Sequence, residues 1–119
     1  MIMALAALLL LSGCALPKRP TLQDADPMEY YARFLAFAEC WVVEIANSQA
    51  CDLETAQELV NYISARRRLF VSESDGADWY VRYETLRDVL WAWLDYQRKT
   101  EKMTTRQFKY FAELLMGWG

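Results

Sequence analysis

Three cysteines, Cys14, Cys40 and Cys51, are the side chains best suited to covalent chemistry in this chain of 119 residues. A thiol can act as a nucleophile, close a disulfide or ligate a metal, as its neighbours decide. Little else supports catalysis. The chain has no histidine, which removes the commonest general base and the commonest metal ligand together. A Ser-His-Asp set is therefore out of reach, and no glycine-rich phosphate loop is present. Glu54 and Glu58, at i,i+4, share a helix face from which paired glutamates can hold metal. Di-iron sites of that kind also need Glu-x-x-His, which cannot occur here. Most acids fall at expected caps or on polar faces rather than converging in a cleft, so carboxylate acid–base work is not expected. The chain reads as non-enzymatic, with no cofactor and no metal.

Cys14 stands in a particular place. An apolar run, Ile2 to Leu11, precedes it, and the run closes on Leu11-Ser12-Gly13-Cys14. Some ten apolar residues are too few to cross a hydrocarbon core of about 30 Å, which takes roughly twenty. A run of this length matches the h-region of a signal peptide. Small residues before a cleaved bond let the chain enter a peptidase, and Ser12-Gly13 supply them. Leu-Ser-Gly-Cys at this position resembles the lipobox of bacterial lipoprotein signal peptides. The run carries no Lys or Arg ahead of it, which departs from the family's pattern.

The resemblance covers residues 1–14 and implies several things. The thiol of Cys14 accepts a diacylglyceryl group and becomes the first residue of the mature chain, with residues 1–13 removed. Acyl chains such as palmitate, at about 0.8 kcal/mol per buried CH₂, then hold the protein on a membrane. The residue after Cys14 is Ala15, not Asp, which by the enterobacterial sorting rule implies the outer membrane, facing the periplasm. In that oxidising space Cys40 and Cys51 remain as an even pair, and a disulfide between them is expected. The alternative is two free thiols, one of them in a core.

Length and composition suit one small domain. Hydrophobic residues make up 55%, enough for a core of the size such a domain can bury. Net charge is −3 with signs interspersed, so no basic field points to nucleic acid.

Residues 14–26 read as a tether, interrupted by Pro17 and Pro20. Residues 27–119 read as an all-α, up-down-up-down four-helix bundle. The first helix opens at Asp26-Pro27 and carries Tyr31, Leu35, Ala38, Val42 and Ile45 at helical spacing, with Glu29 and Arg33 paired at i,i+4. The second begins after Asp52 with Leu53, Ala56, Val60, Ile63 and Phe70. The third spans about Ala77 to Lys102, with Trp79, Tyr83, Leu86, Leu90 and Trp93, and an Asp95–Lys99 pair. The fourth has the clearest start: Thr104 caps, Gln107 completes a capping box, and Phe108, Phe111, Leu115 and Trp118 line one face.

Some side chains exceed what one core stripe needs. Trp91 and Trp93 point about 200° apart on a helix of 3.6 residues per turn. Either the third helix is central and packed on several sides, or Trp91 is exposed as a binding anchor. Tyr30, Phe37 and Trp41 form a second line on the first helix, as the flank of a wide core or as a groove for a partner helix. Arg66, Arg67 and Arg68 form a cationic cluster open to an acidic partner or to lipid headgroups, or simply a solvated helix end.

The expected role is that of a lipid-anchored interaction module. It would hold or stabilise another envelope protein through helix-face aromatics. Two alternatives are an exclusion, immunity or lysis lipoprotein of a plasmid or phage, and a binder of a small apolar ligand in an internal cavity of a few hundred cubic ångströms.

Overall fold

The computed structural model describes residues 16–17, 27–72 and 79–118. Four helices follow in chain order: α1 Pro27–Asn47, α2 Leu53–Ser72, α3 Trp79–Lys99 and α4 Thr105–Met116. No strand occurs among the described residues. The protein is a small all-α bundle.

Ring contacts and hydrogen bonds give the helix directions. Tyr30 meets Tyr83 near the starts of α1 and α3, and Trp41 meets Trp93 farther along both, so these two helices run the same way. Asp52 N–H donates to Gln97 Oε1 at 3.0 Å, setting the start of α2 beside the end of α3. Trp41 Nε1 donates to the Phe111 carbonyl, whereas Tyr30 O–H reaches Trp118 beyond the end of α4. The order is up-down-up-down.

α1 is the central element. Between Pro27 and Asn47 its charged residues are Glu29, Arg33, Glu39 and Glu44, too few to make a broad polar face. The expected stripe Tyr31, Leu35, Ala38, Val42 and Ile45 is buried, and so are Tyr30, Phe34, Phe37, Trp41 and Val43. α2 and α3 pack on it, and α4 closes the remaining side through Phe111, Leu115 and Trp118. The crowding of apolar residues on the third helix had pointed to that helix as a possible centre, but α3 keeps an outer face of Val81, Thr85, Val89, Ala92 and Tyr96 exposed.

Two helix ends share one device. Gln49 takes φ 56° and Glu101 φ 60°, both in the left-handed region. After α1, Gln49 N–H donates to the Ala46 carbonyl and Ala50 N–H to that of Ile45. After α3, Glu101 N–H donates to the Arg98 carbonyl and Lys102 N–H to that of Gln97. These paired bonds satisfy the orphan carbonyls of a helix end in the Schellman manner. They also stop α3 at Lys99, three residues short of the expected Lys102. At α4 the capping box is present: Gln107 N–H donates to Thr104 Oγ1 at 3.1 Å, and Thr104 N–H to Gln107 Oε1 at 3.0 Å.

One expectation is corrected. Cys51 is a free, buried thiol, so no bridge joins it to Cys40. α1 continues seven residues past Cys40 before the turn that holds Cys51. At 1.5 Å per residue that is about 10 Å along the axis, whereas bridged α-carbons lie within roughly 7 Å of each other. Cys40 has a bonding partner other than Cys51. Within the expected tether, Leu16 is half-buried and packs against the core.

Candidate functional site

The aromatic line on α1 belongs to the interior. Tyr30, Phe37 and Trp41 are almost wholly buried, so they are not a surface groove. The first of these donates its hydroxyl to the Trp118 carbonyl at 2.9 Å, and Tyr83 O–H donates to the same oxygen. The Trp118 ring lies against Tyr30, Phe34 and Phe37 with centroids 5.2–5.5 Å apart. The Tyr30 and Phe34 pairs are edge-to-face and the Phe37 pair is tilted; aromatic pairs of this kind add about 0.5–1.5 kcal/mol each beyond area burial. Trp41 Nε1 donates to the Phe111 carbonyl at 3.1 Å, so the buried indole polar atom is satisfied. The physical reason for the correction is coverage: α4 and Trp118 lie over the α1 flank that a partner helix would have needed.

Trp91 is half-buried and packed against the core. The larger exposed apolar residues of α3 are Tyr80, Val81, Val89 and Tyr96, with Val81 62% and Tyr96 55% exposed. Val81, Val89 and Tyr96 recur with Thr85 and Ala92 at steps of four, four, three and four, which puts all five on one helical face. This face was not legible in the sequence, because valines and a tyrosine at helical spacing fit a buried stripe equally well. Trp93, expected in the core stripe, sits at its edge and donates Nε1 to Thr55 Oγ1 at 3.3 Å. Leu94 and the fully buried Gln97 carry the stripe onward.

The arginine cluster divides. Arg67 is ion-paired with Glu39 of α1 at 2.8 Å. Arg68 is exposed, and Arg66 is half-buried with its guanidinium 5.2 Å from the Tyr62 ring centroid. Arg66 lines a cleft of about 130 Å³ between α1, α2 and α3. That volume is below the roughly 300 Å³ at which pockets for small organic ligands begin.

Of the reactive side chains, Cys14 lies outside the described residues. The Cys51 thiol is pushed up to about 12, first by burial and then by the neighbouring Asp52 carboxylate. It stays protonated and is a poor nucleophile. Tyr83 is also pushed up to about 12, by burial and then by its contact with Tyr30, with Arg87 opposing. Arg98 and Lys99 together hold the Asp95 carboxyl below its usual range. Among the described residues no group of three or more Cys, Asp or Glu is placed to hold a metal. No described helix is long and apolar enough to cross a membrane. No family model, no curated protein and no solved structure matches the chain.

Proposed function

We propose that this protein is a lipid-anchored helical module of the bacterial cell envelope that holds another envelope protein at the membrane. The Leu11-Ser12-Gly13-Cys14 motif behind the apolar run carries the anchoring part. The exposed face of α3, Val81 to Tyr96, supports the binding part, since apolar residues in line on a solvated helix are where a partner helix gains burial. Leu16 adds a geometric consequence. It packs on the core only two residues after Cys14, and two residues span at most about 7 Å. Acyl chains on Cys14 would therefore hold the bundle against the bilayer surface rather than at the end of a long tether.

Mass spectrometry of the mature protein tests the anchor. The expected species begins at Cys14 and carries two or three acyl chains through a thioether and the amino group. An unacylated species whose mass rises by two protons on reduction would overturn the reading. For the partner face, a photo-crosslinking residue at Val89 is expected to give one discrete adduct in intact envelopes. The same probe at Glu58, on the exposed side of α2, is expected to give none.

A further inference from the structure

We infer that the corner where α3 passes into α4 binds an anionic bilayer surface, through Lys102, Arg106 and Lys109. From Asp95 to Lys109 the chain carries five cations, Arg98, Lys99, Lys102, Arg106 and Lys109, against the carboxylates Asp95 and Glu101, in a protein of net charge −3. Arg98 and Lys99 share Asp95, at 2.6 and 2.9 Å. Lys102, Arg106 and Lys109 are exposed, and among the described residues no carboxylate pairs with them. Trp93 meets α2 at Thr55, whereas Arg98 meets the Phe108 ring of α4. Five residues are about 140° round a helix, so Asp52 and Glu54, at the α2 entry, lie across α3 from the cations. Asp24, Asp26, Glu73, Asp75 and Asp78, outside the described residues, adjoin in sequence the starts of α1 and α3 and the end of α2. That end of the bundle is about 30 Å from this one, at 1.5 Å per residue of α3.

The stability of α4 does not account for these cations. Arg106 is its second residue, Lys102 precedes its cap, and no acid stands in its first turn. Positive charge at a helix start opposes the dipole, which acids there would suit. Arg106 and Lys109, three residues apart, point away from the buried Phe111, Ala112 and Leu115. Tyr110 and Met116 are exposed on the same outer side. Basic side chains beside an exposed tyrosine suit a headgroup layer, where the ring takes the interface and the cations take the lipid phosphates. An acidic protein partner would favour cations held at fixed points. Among the described residues no side-chain hydrogen bond or ion pair fixes these three, and lipid headgroups can rearrange around them. The contact does not depend on acylation of Cys14.

The test is sedimentation of the full chain with sucrose-loaded vesicles of phosphatidylcholine, alone or mixed with phosphatidylglycerol. Partition is expected to rise with phosphatidylglycerol and to fall back towards the phosphatidylcholine value as sodium chloride is added, because salt screens exposed charge. The comparison of the two vesicles removes any binding due to acyl chains or to the apolar run. Replacing Lys102, Arg106 and Lys109 together by Gln is expected to lower partition into the anionic vesicles about a hundredfold, and each alone about fivefold. The thermal midpoint of these variants is expected to stay at or above that of the wild type. Arg68→Gln, the same change of charge on α2, is expected to leave partition unchanged. Tyr110→Ser is expected to weaken it without altering its salt dependence. Equal partition into both vesicles, or equal losses from Arg68→Gln and Lys109→Gln, would overturn the proposal. So would soluble polyglutamate that binds as tightly as the anionic vesicles while Tyr110→Ser changes neither, since the corner would then serve an acidic polypeptide.

Discussion

Tyr83 and Cys51 are buried ionisable groups that fold in their neutral forms. Both titrate higher in the folded chain, near 12, than their ordinary values of 10.0 and 9.0. The folded state thus holds protons that the unfolded chain would release. The stability this confers is complete below about pH 9 and drains away as pH rises towards 12. Urea unfolding at steps between pH 8 and pH 11 is expected to show a falling midpoint, and Tyr83→Phe is expected to flatten part of the fall. Trp118 is the residue on which the interior depends most locally. It is buried against three α1 rings, and its carbonyl takes two tyrosine hydroxyls. Trp118→Ala is expected to cost about 3–5 kcal/mol, read as a lowered denaturation midpoint with loss of near-ultraviolet circular dichroism. Much of this was hidden in the sequence. Tyr30, Phe37 and Trp41 are spaced as a line on α1, but spacing does not say whether a second helix covers that line.

Among the elements, the turns after α1 and α3 store removable strain. Gln49 and Glu101 sit in the left-handed region where a β-carbon is unfavourable. Gln49→Gly and Glu101→Gly are each expected to stabilise the protein by about 0.5–1 kcal/mol, measured by chemical denaturation. No glycine announced these caps, so the sequence reading placed the end of α3 too late. The start of α4 was legible for the opposite reason. A Thr and a Gln three residues apart are sufficient to build a capping box without help from the rest of the fold. The Glu29–Arg33 and Asp95–Lys99 pairs, at 2.6 and 2.9 Å, were legible on the same local grounds.

Across the whole molecule, one buried side chain ties the lower turns together. Gln97 accepts from the first N–H of the α2 entry with its side chain, and from Lys102 with its carbonyl. Gln97→Met keeps the volume but orphans the Asp52 N–H. It is expected to cost about 1–3 kcal/mol and to raise amide exchange first at residues 50–53, a pattern that uniform loosening would not give. A domain of this size has roughly 5–15 kcal/mol of stability in total, so the Gln97 tie and the Trp118 plug are each a sizeable share. The bundle topology itself rests on both, since one aligns α2 with α3 and the other seats α4 on α1.

What the sequence by itself determined is what local spacing determines: four amphipathic helices, their approximate limits, the core stripe of α1 and the box that opens α4. The 3.6-residue period makes those features independent of distant contacts. Tertiary structure alone decided which helix is central, which aromatics face water, that Cys51 stays a free thiol, and that Arg66 turns into a cleft beside Arg82. Each of these depends on which second element lies over a given face, and covering a face is a property of the packed whole.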